Sequence, residues 1–311
     1  MAAAIHLGTC SWADRGLVEA WYPKDRSSAE ARLRYYAERF DAVEVNASYY
    51  AIPEPETAQR WAERTPPDFV FHVKAFGLMT GHRVRPEQLP PDLRPRVASV
   101  TARGNVEPDE GLRRSVFERF GHALEPLRAA GKLGGVLMQY PPSFAPVGDW
   151  RARIAGDREL LGGAEMLVEF RQRDWLAEPL REEVLGFLEA EGLTYVSVDA
   201  PTVASRNAVE TVVAATSPTG YVRFHGRNAA TWNVQGREAS ERFDHYYSED
   251  ELAVWVEPLR SLGAATDRTY AFFNTNNADQ GPVNADLLRS LLEHADVPVT
   301  PAPGPAQDTL F

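Results

Sequence analysis

Three features of the sequence predict a single (β/α)8 TIM-type barrel with long loops after strands 3 and 7. Short apolar runs alternate with amphipathic stretches eight times, the rhythm of a parallel sheet joined by crossover helices. The first run is not followed by G-x-G-x-x-G or a P-loop, which an open doubly wound sheet normally carries there. Charged and amide residues recur at the end of one run after another, where barrel proteins hold their chemistry. The 311 residues, 44% hydrophobic and 25% charged, contain ample core material for one large domain. The expected division is a barrel over residues 1–296 and a Pro-rich flexible tail over 297–311.

The first strand covers Ile5 to Thr9 and ends at Cys10-Ser-Trp12. Ser27, with Glu30 three residues on, is a capping box opening a helix to Phe40. Strand two, Ala42 to Asn46, sets Val43 and Val45 opposite Glu44 and Asn46, because side chains alternate along a strand. A helix follows from Pro55, a residue suited to a first turn, to Arg64. Strand three, Phe69 to Lys74, opposes Phe71 and Val73 to His72 and Lys74. Residues Gly77 to Gly111 lose all periodicity, are too long for an ordinary connection, and read as a lid supplying His82 or Arg83. A helix from Leu112 to Ala130 precedes strand four, Gly135 to Gln139, and one from Trp150 to Leu161 precedes strand five, Met166 to Arg171. Helix Leu176 to Glu191, stopped by Gly192, leads to strand six, Thr194 to Val198, which ends in Asp199. A short helix from Asn207 to Ala215 is expected before strand seven, Tyr221-Val-Arg-Phe-His-Gly-Arg227. A second long loop, Gly226 to Ser248, precedes a helix from Glu249 to Leu262, strand eight from Thr269 to Phe273, and a last helix from Asn284 to Ala295.

The strand ends supply a polar ring: Glu44, Asn46, His72, Lys74, Gln139, Glu169, Arg171, Asp199, Arg223, His225 and Asn274, with Arg227 and Asn276 just beyond. Each ring member lies on the face opposite its strand's apolar residues, so the ring is expected to look into the lumen. Burying such charges requires that they pair, and Glu44, Glu169 and Asp199 nearly balance Lys74, Arg171 and Arg223. The basic groups suit an anion, phosphate above all. Glu44, Lys74, Glu169 and His225 are the candidate catalytic residues, and the others are candidate substrate contacts. The expected function is an enzyme acting on a phosphate-bearing substrate, nucleic acid and repair-like hydrolysis included. Two alternatives stay open: a glycosidase using Glu44 and Glu169 with Trp12, Trp21 or Trp232 as stacking surfaces, and a non-catalytic ligand-binding or adaptor protein. No cofactor is expected. His72, His225, Glu44, Glu169 and Asp199 are the only candidate ligands for a divalent metal, without H-x-H or H-E-x-x-H spacing to support one.

A net charge of −11 and a pI near 5.2 argue against holding nucleic acid by bulk charge, while leaving room for a local basic pocket. The single cysteine, Cys10, fits a reducing compartment. The first ten residues lack the basic and apolar regions of a signal peptide, and no apolar run is long enough for a membrane span, so a cytoplasmic location is expected.

Several motifs together resemble the family known as domain of unknown function 72, or the YecE-like family. They are Gly8-Thr-Cys-Ser-Trp12, Trp21-Tyr-Pro23, Phe40-Asp-Ala-Val-Glu-Val-Asn46 with Tyr49-Tyr50 and Pro53, and Val73-Lys74. Gln139-Tyr-Pro-Pro-Ser-Phe144, Val168-Glu-Phe-Arg171 with Trp175, Tyr221 to Arg227 and Phe272-Phe-Asn-Thr-Asn276 complete the set, which spans residues 8 to about 285. The chain departs from the family pattern at Ser48-Tyr49-Tyr50, Phe170 and Gln139-Tyr140, mostly by conservative swaps that leave the ring intact. The resemblance implies a (β/α) barrel and brings no activity with it. At the end of the chain, Gln307-Asp-Thr-Leu-Phe311 resembles the peptide by which bacterial replication and repair proteins bind the DNA polymerase sliding clamp. Gln307, Leu310 and Phe311 are its candidate contacts, at the tip of a Pro-rich linker.

Overall fold

The structure is a computed structural model describing residues 3–203, 205, 207–232 and 242–304. Eight strands form one parallel sheet: β1 Ile5–Thr9, β2 Ala42–Val45, β3 Val70–Lys74, β4 Leu133–Tyr140, β5 Met166–Phe170, β6 Thr194–Asp199, β7 Thr219–Phe224 and β8 Arg268–Phe273. Their order, β1-β8-β7-β6-β5-β4-β3-β2, runs once around a nearly closed barrel. Helices alternate with them: α1 Arg15–Ala20, α2 Ala29–Ala37, α3 Pro55–Glu63, α4 Glu110–Ala129, α5 Trp150–Leu160, α6 Leu180–Ala190, α7 Glu249–Ala253, α8 Val256–Ala265 and α9 Gln280–His294. The predicted (β/α)8 fold is what forms.

Strand alternation divides the apolar residues into two cores. Val43, Val45, Phe71, Val73, Val168, Phe170, Val222 and Phe224 face the helices and join the main cluster. Leu137, Leu167, Val196, Val198, Tyr221 and Phe272 form a separate cluster inside the barrel. Helix starts are fixed locally: Ser28 caps α2 by accepting from the Ala31 amide at 3.0 Å, and Asp109 caps α4 from Leu112 at 2.7 Å. None of the described helices is long and apolar enough to cross a membrane.

Three expectations are corrected. Described residues between 207 and 215 form no helix, so the layer between β6 and β7 is an irregular segment. Its β-branched Val209, Thr211, Val212 and Val213 disfavour the helical state. The helix expected from Glu249 to Leu262 is two helices, α7 and α8. Residues 297–304, expected to belong to a flexible tail, lie against the barrel. Val299 bridges to Ile5, the Thr300 amide donates to Ile5 at 3.0 Å, and the Gly304 amide donates to Glu38 at 2.9 Å. Gln307, Leu310 and Phe311 lie outside the described residues.

The seam between β1 and β2 lacks the ladder found between every other neighbouring pair. Side chains close it instead. The Tyr36 hydroxyl accepts from the Thr9 amide at 2.9 Å and donates to the Ala42 carbonyl at 3.2 Å, joining the two strands through one phenol. Below it His6 pairs with Asp41 at 2.6 Å. The strands approach so closely that a Cβ on Gly8 would lie 2.4 Å from the Ala42 carbonyl oxygen, which only glycine permits. Tyr36→Phe leaves a buried amide and carbonyl without this link and is expected to cost about 1–3 kcal/mol, read as a lower denaturant midpoint at unchanged m-value. An unchanged midpoint would show that the phenol does not hold the seam.

Candidate functional site

At the centre of the barrel Arg223, from β7, is fully buried between two carboxylates. Its guanidinium donates to Glu44 Oε1 at 2.6 Å and, on the other side, to Glu169 Oε2. The second Glu44 oxygen accepts from the Tyr221 hydroxyl at 2.9 Å. Burial disfavours the Arg223 charge, but Glu169 and Glu44 outweigh it and hold the group firmly protonated. Burial acts on Glu169 in the opposite sense, and Arg223 and His225 overcome it, leaving the carboxyl well below the usual range.

Above this clamp a hydrogen-bond chain crosses four strands. Glu169 Oε1 lies 3.0 Å from His225 Nε2, His225 Nδ1 lies 2.9 Å from the Asn274 amide nitrogen, and Asn274 Oδ1 accepts from Asn46 at 2.9 Å. An ionised carboxylate only accepts, so Nε2 carries the imidazole proton and Nδ1 accepts. Burial first, and then Arg223 and Arg171, keep His225 neutral, its pKa down at about 3 despite Glu169. Both ring nitrogens of His225 are thus engaged, by Glu169 and by Asn274.

The cavity sits over this floor and measures about 790 Å³, within the usual range for a small-molecule site. Lys74, Arg171, Asn46, Gln139, Asn274 and Asn276 of the predicted ring all line it. Gln139 links the wall to the floor: its carbonyl accepts from Lys74 Nζ and its amide donates to Glu169 Oε1, both at 2.8 Å. Arg171 donates to the same Glu169 oxygen at 3.3 Å, and its guanidinium lies 4.9 Å from the Trp232 ring centroid. Burial, followed by Arg223, pushes the Lys74 ammonium down to about 8. His82 joins the wall from the loop after β3, as the lid reading required of one of two residues, whereas Arg83 does not line the cavity.

Three expected site residues lie elsewhere. On β6 it is Val196 and Val198 that enter the lumen, so Asp199 points out among the helices. There it accepts from Tyr247 at 2.7 Å, Trp255 at 2.8 Å and two nitrogens of Arg227, which removes Arg227 from the mouth as well. His72 enters the lumen but not the cavity. It is enclosed by Tyr270, Tyr221 and Phe272 at centroid distances of 4.3, 5.0 and 5.5 Å, and neither ring nitrogen has a hydrogen-bond partner among the described residues. Glu44 and Glu169 are both fully buried in the floor and do not line the cavity. Among the described residues no group of three or more His, Cys, Asp or Glu side chains is placed to hold a metal ion. The sequence reading missed Tyr49, Tyr50, Asn207, Arg242 and Phe243, which also line the cavity. Their shared signal is position: each follows the carboxyl end of a strand, and Arg242 and Phe243 occupy the long loop after β7.

Fold and site together define a (β/α)8 barrel with a polar, partly cationic cavity at the carboxyl ends of its strands. The chain belongs to the family described as protein of unknown function DUF72, whose family model matches residues 6–308. It is 30% identical over 293 residues to the UPF0759 protein YunF of Bacillus subtilis, covering 93% of this chain and 95% of that one. It is 28% identical over 314 residues to the UPF0759 protein YecE of Escherichia coli K12, covering 99% and 100%. Among solved structures, a DUF72 family protein from Thermotoga maritima superposes with a TM-score of 0.74 at 28% identity, over 93% of this chain and 99% of that one. One from Enterococcus faecalis gives 0.76 at 23% identity, covering 93% and 95%.

The buried groups dictate how stability responds to acid. Burial holds His72, like His225, neutral down to about pH 3, whereas an unfolded histidine takes up its proton near 6.5. Both contributions are therefore complete above pH 6.5 and lost as the pH falls toward 3. Glu169, depressed in the fold, adds a loss in the same direction below the ordinary carboxylate range. Denaturation at a series of pH values between 7.5 and 5 should show stability falling, and His72→Gln should flatten the slope by up to about 1.4 kcal/mol per pH unit. A slope identical in the variant would mean that His72 titrates normally inside the barrel.

Proposed function

We propose that the barrel mouth binds and processes a small phosphate-bearing substrate. One observation carries this reading: Lys74, Arg171 and Arg242 line the cavity, with Arg15 and one acidic residue, Asp14, while Glu44 and Glu169 are turned away beneath it onto Arg223. In the floor two carboxylates balance Arg223 and Arg171, so Lys74 is not needed to neutralise them. Arg242 has no carboxylate partner among the described residues and lies close enough to Arg171 to disfavour its charge. The surplus positive charge suits an anionic group. Asn46, Gln139, Asn274 and Asn276 offer donors and acceptors to the remainder of the ligand, and Tyr49 and Phe243 offer apolar faces.

The glycosidase alternative needs two carboxylates flanking a sugar bond, with water reaching one of them. Glu44 and Glu169 are buried and committed to Arg223, so the geometry favours the phosphate reading. Calorimetric titration with inorganic phosphate and a phosphate monoester is expected to show binding, weakened about tenfold or more by Arg242→Ala, a loss of at least about 1.4 kcal/mol. No binding of either at millimolar concentration would end this reading. Much tighter binding of a single-stranded oligonucleotide would move the substrate class to nucleic acid.

The clamp-binding tail is a separate proposal resting on Gln307, Leu310 and Phe311 in the sequence alone. A purified DNA polymerase sliding clamp should bind the full chain and not a chain ending at Ala306. Equal affinity for both, or binding by neither, would remove it.

A further inference from the structure

The chain holds 33 basic residues, of which only Lys24, Lys74 and Lys132 are lysine. Two have plain explanations. Lys24 is exposed in the loop after α1. Lys132 uses its ammonium to tie β4 to the end of α3, donating to the Ala62 carbonyl at 2.6 Å and to the Thr65 carbonyl and hydroxyl at 2.8 and 3.0 Å. Lys74 is different. It stands at the carboxyl end of β3, lines the cavity, and has no carboxylate within ion-pairing distance among the described residues. Its polar contact is the neutral Gln139 carbonyl, and its Nζ lies 4.6 Å from the Tyr49 ring centroid.

Arginine holds an anion with a planar fork that binds phosphate in two places and never loses its charge, whereas lysine holds one as a point charge. Lysine offers one property that arginine lacks: it gives up its proton and becomes a nucleophile. The surroundings bring that state within reach. Lys74 is half-buried, Arg223 and Arg171 lie nearby, and the carboxylates that could hold it protonated are engaged by those same arginines.

We propose that Lys74 is the nucleophile of the site and condenses with the carbonyl carbon of a phosphorylated aldehyde or ketone. The lone pair of neutral Nζ forms the C–N bond while the carbonyl π pair moves to oxygen. One amine proton ends on that oxygen, and a second proton, drawn from solvent, lets it leave as water while the nitrogen pair closes the C=N bond. Amine, carbonyl and one proton thus become a protonated iminium and water, with nothing oxidised or reduced. The phosphate rests on the anion reading above and is assigned to Arg171 and Arg242; the amine chemistry stands apart from it.

With only three lysines the test is direct. The full chain is treated at pH 7.5 with limiting pyridoxal 5′-phosphate, the adduct is fixed with cyanoborohydride, and the lysine peptides are quantified by mass spectrometry. Lys74 is expected to be labelled on the order of tenfold faster than Lys24, because an ordinary exposed lysine is almost wholly protonated at that pH. The Lys74 labelling rate should be half-maximal near pH 8, and Lys74→Arg should abolish this fast label. Labelling of Lys74 no faster than Lys24, or a rate still rising steeply above pH 9, would overturn the proposal. Pyridoxal lacking the phosphate serves as the second arm. Slower labelling with it, and protection by inorganic phosphate, would support the anion site. Equal rates without protection would overturn the anion site while supporting the reactive amine.

Discussion

One guanidinium holds the middle of this barrel together. Arg223 reaches from β7 to Glu44 on β2 and Glu169 on β5, strands separated around the sheet, so its two ion pairs act as cross-braces through the lumen. Removing three charges from water is costly, and such a cluster is favourable only when its polar atoms are satisfied. Most are: Tyr221 serves Glu44, and Gln139, Arg171 and His225 all converge on Glu169. The arrangement also divides the lumen by chemistry. Below it lie His72, Tyr270 and Phe272 in an apolar plug, and above it lie the amides and cations of the cavity. The residues whose charges look most reactive in the sequence are thereby bound to one another, and Lys74, Arg171 and the asparagines are left facing the cavity.

Much of this was legible in the sequence because β-strand alternation is strict. Near the carboxyl ends of β2, β3, β5 and β7 the apolar residues face the helices and the polar ones the lumen, and Asn274 continues the lumen face of β8, so Glu44, Lys74, Glu169, Arg223 and Asn274 fell on the correct side by counting in twos. The same counting failed on β6. Alternation tells which residues share a face, not which face is inner, and in β6 the valines fill the apolar part of the lumen while Asp199 finds partners outside. His72 shows a second limit. It was assigned to the correct face, yet depth along the strand separates a core histidine from a cavity-lining one, and only the neighbouring strands set that depth. The role of Glu169 was illegible for a related reason, since a carboxylate with four partners and one with none look alike in a sequence.

The residues that completed the cavity came from loops. Arg242 and Phe243 reach the mouth from a connection whose sequence has no periodicity to read, and His82 arrives from another. Loop residues have neither a face nor a period, so their place is decided by where the chain returns. The missing helix between β6 and β7 has the opposite origin. There the expectation followed the rhythm of the fold, and local β-branched residues overrode it.

The closure at β1 and β2 is reinforced from outside the sheet. Residues 298–300 lie beside Ile5 at the start of β1, and Gly304 is bonded to Glu38 where α2 ends, so this stretch occupies the rim opposite the cavity. The last described residues thus tie the start of β1 to the end of α2, across the one seam of the sheet that has no backbone ladder.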